Sequence, residues 1–158
     1  MKYCLEYGYI SLNKKNEELC GDKVEIIQNK NATTLVLADG LGSGVKANIL
    51  ATLTSKILGI MASNNIPIEE CIKTIISTLP VCKVRQVAYS TFTLIHLYDD
   101  GKGYLVEFDN PQTIILRDYQ VINLNRVKRE IEGKIHTIGL IALFGLVILV
   151  DILHIFLF

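Results

Sequence analysis

Asp39 opens the run Asp39-Gly40-Leu41-Gly42-Ser43-Gly44, a carboxylate and three glycines within six residues. A second acid, Asp22, stands seventeen positions earlier in Cys20-Gly21-Asp22. A carboxylate is a hard oxygen donor suited to Mg2+ or Mn2+. Glycines tolerate positive φ and let a ligand come close to the backbone, and the free N–H groups that open a helix favour anions. Three chemistries compete for such a turn. A dinucleotide fingerprint needs GxGxxG, and Val45 stands where the last glycine belongs. A phosphate-binding P-loop needs Gly-Lys-Ser/Thr, whereas Gly44 is followed by Val45-Lys46-Ala47. A metal site uses the residues in the order they occur: the acid first, then glycines that free the Gly40 carbonyl as a further oxygen ligand.

The elements around these residues decide whether the two acids meet. Lys23 to Gln28 alternates polar and apolar residues as on a half-buried strand, Asn29-Lys30-Asn31 is a turn-forming cluster, and Thr33 to Ala38 is a more continuously apolar strand. An antiparallel hairpin of these two strands brings Asp22, at the start of one, beside Asp39, at the end of the other. After the glycines, Ile49, Leu50, Leu53, Ile57, Leu58 and Met61 recur at helical spacing from Val45 to about Ala62. The acid-glycine run is therefore a strand-to-helix turn.

The rest of the chain frames this unit. Residues 3 to 12, rich in tyrosine and β-branched residues, predict a first strand. Ile66-Pro67 opens a second helix whose stripe, Ile68, Cys71, Ile72, Ile75, Ile76 and Leu79, ends before Pro80 and places Cys71 in the core. Ser90 to Tyr98 and Gly103 to Phe108 flank Asp99-Asp100-Gly101-Lys102, a strong hairpin signal. Thr113 to Leu116 and Val121 to Leu124 extend the meander. Asp99, Asp100, Asp109 and Asn110-Pro111 read as turn residues. Ser90 and Thr91 are read either as plain strand residues or as groups that touch a substrate. Helices followed by an antiparallel meander, with no βαβ repeat, predict an α+β sandwich in which antiparallel sheets are layered with helices.

These residues resemble a known family. Cys20-Gly21-Asp22, Leu37-Ala38-Asp39-Gly40-Leu41-Gly42-Ser43-Gly44, Lys46-Ala47, Ser90-Thr91-Phe92-Thr93-Leu94 and Phe108-Asp109-Asn110-Pro111 are similar to the metal-dependent PPM-type serine/threonine phosphatases, in the branch of stage II sporulation protein E and related bacterial sigma-factor regulators. The resemblance covers roughly residues 3 to 130. It implies two antiparallel sheets between helical layers, and two Mn2+ or Mg2+ ions whose bridging water attacks a phosphoserine or phosphothreonine. By match to the motif, Asp22 would bind one metal, Asp39 would bridge both, and the Gly40 carbonyl would complete the second. Gly21, Gly42, Ser43 and Gly44 would shape the supporting turn, and no separate nucleophile would be needed. The family continues with a second Asp-Gly turn and a last Asp. Here Asp151 is the only acid after Glu132, so the resemblance implies an incomplete site with weak activity or none.

Composition sets the bounds. The chain has 158 residues, and its sixteen acidic and sixteen basic residues cancel, which leaves no electrostatic footprint for nucleic acid. Cys4, Cys20, Cys71 and Cys82 form no CxxC pair and no signal peptide precedes them, which predicts free thiols in a cytoplasmic protein. The chain divides into a partial phosphatase-like domain over 1–134 and an apolar segment over 135–158, expected to be helical. For that segment three readings stay open: a membrane anchor through 138–158, a core helix, or an end that is not a native continuation of the domain. His96, His136 and His154 carry no chemistry in this reading. Two functions from different classes follow: a truncated metal-dependent phosphatase acting on a phosphorylated bacterial regulatory protein, or a non-catalytic binding module of the same fold, tethered by its tail. A nucleotide-binding domain is a distant third.

Overall fold

Alternation of apolar and polar residues over 22–40 produces a hairpin of β1 (Asp22–Gln28) and β2 (Ala32–Gly40), as expected. The computed structural model describes residues 5–13, 15–79, 90–142 and 146–149. Residues 80–89 and 150–158, with Cys4, Cys82, Asp151 and His154, lie outside them. The chain continues through α1 (Gly44–Ser63), α2 (Ile68–Thr78), β3 (Ser90–Tyr98), β4 (Lys102–Phe108), β5 (Ile114–Arg117), β6 (Gln120–Ile122), β7 (Arg126–Ile131), β8 (Lys134–Ala142) and β9 (Leu146–Leu149). A six-stranded antiparallel sheet has the order β1-β2-β3-β4-β8-β7, and a three-stranded sheet has the order β6-β5-β9. This is the mixed α+β architecture that the sequence predicts.

Both helices lie on one face of the large sheet. Val36, Ala38, Phe92, Leu94, Val106 and Phe108 pack there against Leu50, Ala51, Leu58, Cys71, Ile72 and Ile75. Burial pushes the Cys71 thiol up to about 11, as fits a core cysteine. The opposite face carries a smaller cluster of Ile95, Leu97, Leu105 and Ile141, joined by Leu5, Leu35 and Leu124.

Helix α1 corrects the face read from the sequence. It buries Ala47, Leu50, Ala51, Thr54, Ser55, Leu58, Gly59 and Ala62, whereas Ile49 and Leu53 are 52% and 45% exposed. The reason is distance. Small residues let the helix lie close to the sheet, so close that a Cβ at Gly59 would stand 3.1 Å from Ile27 Cδ1. Helix α1 is also long and apolar enough to cross a membrane by composition, yet 44% of that window is buried inside the fold.

Two further expectations are corrected. Residues 5–13 form no strand, and Glu6 to Asn13 are exposed; tyrosines and β-branched residues fit a pleated surface without compelling one. The charged stretch after Asn125, for which the sequence named no element, is the edge strand β7: Lys128, Arg129 and Glu130 are exposed, where charge opposes unwanted pairing, while Arg126 turns inward to Glu107. The segment after Gly133, expected to be helical, with a membrane anchor as one of three readings, is strand over 134–142 and 146–149. Glu132 and Gly133, with φ of 50° and 75°, form the two-residue turn that feeds β8 between β7 and β4. A continuously apolar run reads alike as helix or strand, so periodicity could not separate them.

Candidate functional site

The hairpin sets Asp22 directly opposite Asp39, and β3 sets Thr91 on the other side of Asp39. Cross-strand partners point to the same face, here the one away from the helices, because Asp39 alternates with the helix-facing Ala38. The hairpin thus brings Asp22 beside Asp39, the placement that the sequence predicts.

The turn is held from several sides. The Gly40 N–H donates to the Gly21 carbonyl at 3.0 Å, and Ser90 Oγ donates to the Asp39 carbonyl at 3.0 Å. Asn48 of α1 donates from Nδ2 to the Cys20 carbonyl at 2.8 Å, tying the helix to the Cys20-Gly21-Asp22 corner. The Asp22 N–H donates to Cys20 Sγ at 3.4 Å, while that thiol lies 3.8 Å from Asp22 Oδ2. Gly40 is obligatory: a Cβ there would sit 2.0 Å from the Ala47 carbonyl oxygen. Gly42 and Gly44 take φ of 108° and 67°, which side chains disfavour. Ser43 occupies the N-cap position of α1, yet its side chain makes no capping bond. A cavity of about 190 Å³ opens beside Asp22, lined also by Cys20, Asn48 and Leu37 and by Tyr9 and Ile10.

The donor set matches hard divalent cations in type: two carboxylates on one face, and a glycine turn cradled where a Cβ would clash. Among the described residues, no three His, Cys, Asp or Glu side chains gather into one group. Asp99 and Asp100 belong to the far turn between β3 and β4, and Asp109, with φ of 50°, reverses the chain after β4.

Two networks on this face were not legible beforehand. Asn110 accepts from Thr91 Oγ1 at 2.7 Å and donates to Thr93 Oγ1 at 3.1 Å. The sequence signals were the Asp-Asn-Pro turn and the resemblance through residues 90–94 and 108–111, and neither says what the Asn binds. Glu107, 5% exposed, stands across from Thr93 and binds Arg126 Nε at 2.9 Å and Nη2 at 3.2 Å. It also accepts from the Thr113 N–H at 2.6 Å and Thr137 Oγ1 at 2.9 Å, while Arg126 Nη2 donates to the Thr113 carbonyl at 2.7 Å. Burial pushes this carboxyl up, but the bonds from Arg126, Thr113 and Thr137 outweigh it and hold Glu107 below its ordinary range.

No protein-family model matches the chain, and no curated protein sequence matches it. Solved structures do. The PP2C phosphatase domain with a fragment of the regulatory domain of the cell fate determinant SpoIIE from Bacillus subtilis superposes with a TM-score of 0.62 and 23% identity, over 72% of this chain and 33% of that one. RsbX in complex with magnesium gives 0.51 and 23%, over 68% and 51% of the two chains. The RsbU and RsbW domains of Rv1364c from Mycobacterium tuberculosis give 0.62 and 15%, over 84% and 39%. The chain thus spans between 33% and 51% of the length of these three. At such identities the likeness is one of fold, and the conclusion is a structural one: this chain has the mixed α+β fold of PP2C-type phosphatase domains.

Proposed function

We propose that the chain is a metal-dependent phosphatase domain acting on phosphoserine or phosphothreonine in a regulatory protein. The observation that carries this reading is the pairing of Asp22 with Asp39 on one sheet face at the glycine turn. The fold shared with PP2C phosphatase domains, and the magnesium bound by one of those neighbours, support it.

In this reading Asp22, Asp39 and the Gly40 carbonyl hold Mg2+ or Mn2+. Such an ion, when bound, lowers the pKa of water and offsets charge on phosphoryl oxygens. The chain's own residues supply position. Ser90 and Gly21 fix the peptide between Asp39 and Gly40, Asn48 fixes the corner that carries Asp22, and Gly40 lets α1 pack against the turn. A side-chain nucleophile is not required. A second reading, a non-catalytic module that binds a phosphoprotein, draws on the fact that only two acids meet among the described residues.

Hydrolysis of p-nitrophenyl phosphate with Mn2+ separates them. A phosphatase turns it over, and Asp39→Asn reduces the rate at least about 100-fold, the scale of losing a positioned charged group. Turnover untouched by the substitution overturns the metal site, and Mn2+ binding without turnover selects the binding module.

A further inference from the structure

The Thr91–Asn110–Thr93 network lies next to the acid pair, and none of its members is a carboxylate. Thr91 is the cross-strand partner of Asp39, and a directly opposed pair on one face brings Cβ atoms to within about 5 Å. A threonine hydroxyl has one hydrogen and two lone pairs. Here the hydrogen is committed: Thr91 Oγ1 donates to Asn110 Oδ1 at 2.7 Å. The other end of the same amide donates to Thr93 Oγ1 at 3.1 Å, so Asn110 is gripped at both ends. Thr93 is 1% exposed and stands opposite Glu107, whose carboxylate is held by Arg126, Thr113 and Thr137. The backbone contributes as well. Asp109 takes a left-handed φ of 50° that returns the chain over β3, and Pro111 restricts Asn110 to extended conformations.

We infer that Asn110 is a positioning residue of the acid site: by taking the Thr91 hydrogen it leaves Thr91 Oγ1 with lone pairs only toward Asp39, as an oxygen donor for a divalent cation or for a water bound to it. The inference rests on the reading that Asp22 and Asp39 hold such a cation. It adds a neutral oxygen to a donor set that otherwise has two carboxylates and a carbonyl, and it assigns the Asp-Asn-Pro turn a task beyond reversing the chain. Electrostatically the arrangement is directional. A freely rotating hydroxyl would present its hydrogen to a cation part of the time, whereas a hydroxyl tied to Asn110 opposes only lone pairs to it.

The test is Mn2+ affinity, measured by electron paramagnetic resonance of free Mn2+ on the full chain, for wild type, Asp39→Asn, Thr91→Val, Thr91→Ser and Asn110→Leu. Loss of an outer-shell partner of a metal weakens affinity about 10- to 100-fold. Thr91→Val and Asn110→Leu are expected to fall in that range, and Thr91→Ser, which keeps the hydroxyl, to stay within about twofold of wild type. Melting temperatures without metal show whether a variant is folded. Should Asn110→Leu fail to fold, the Val and Ser variants at Thr91 decide. Wild-type affinity in Thr91→Val overturns the inference, as does equal weakening by Ser and Val. If Asp39→Asn leaves Mn2+ binding intact, or wild type binds none, the metal-site reading falls and this inference falls with it; weakening by Asp39→Asn alone removes only the role of Thr91 and Asn110.

Discussion

Along β3, Phe92 and Leu94 are fully buried beneath the helices, with Phe92 stacked on Phe108 at 5.2 Å, while Thr91 and Thr93 stand on the opposite face with their hydroxyls in hydrogen bonds. The same contrast runs across the sheet. Val36 and Ala38 alternate with Leu37 and Asp39, and Val106 and Phe108 flank Glu107. One face is held by apolar area removed from water, which is non-directional and tolerates sliding. The other carries oriented bonds: Asn110 to Thr91 and Thr93 and, on the strand beside Thr93, Glu107 to Arg126. An oriented network holds its members to defined geometry and penalises loss of any one of them. That is why the acids stand on this face: a site needs fixed directions, and the period of two along each strand puts Thr91, Thr93 and Glu107 on the same side as Asp22 and Asp39.

The largest test of this contrast removes one anchor from each face. Phe92→Ala leaves a cavity under the helices, and Arg126→Met leaves the Glu107 charge buried and unpaired; each is expected to destabilise by about 3–5 kcal/mol in urea denaturation. Rescue separates them. Adding Glu107→Leu to Arg126→Met is expected to recover much of the loss, because the unpaired charge is then gone. Failure of rescue would show that the pair contributes more than electrostatic balance on this face.

A smaller effect comes from the histidines on the helix face. His96, bonded to Thr34 Oγ1 at 2.8 Å and packed between Tyr98 and Tyr104, and His136, whose ring nitrogens have no hydrogen-bond partner among the described residues, are both held below the ordinary value of 6.5 by burial. Glu69 opposes this at His136, and Arg129 adds to it. Below 6.5 the unfolded chain takes up protons that the folded chain refuses, so stability is full above that pH and declines as pH falls through it. The slope is at most about 1.4 kcal/mol per pH unit for each histidine. Urea midpoints from pH 7.5 down to 5.5 read it out, and His136→Phe is expected to flatten the decline. An equal slope in that variant would place the effect elsewhere.

The smallest effect belongs to the surface. Lys56 and Glu25 form an ion pair at 3.3 Å with the lysine 56% exposed, and Lys56→Ala is expected to change stability by only about 0.2–1 kcal/mol. A loss several times larger would mean that this edge of α1 shares the directional character of the acid-bearing face.

Sequence alone determined the local unit. Alternation over 22–40, a turn cluster between, and glycines before a helical pattern were sufficient to predict the hairpin and to set Asp22 beside Asp39, because register in a short hairpin is fixed by nearby residues. The core position of Cys71 followed likewise from its own helix period. Tertiary structure decided the rest. That α1 buries its small residues and exposes Ile49 and Leu53 depends on how closely the helix approaches the sheet, which its own period does not encode. That residues 134–142 are strand depends on the vacant edge of β4 and on β7 beyond it. That Asn110 meets Thr91, and Glu107 meets Arg126, depends on pairings nineteen residues apart, made by side chains whose sequence neighbours mark only a turn and an edge strand.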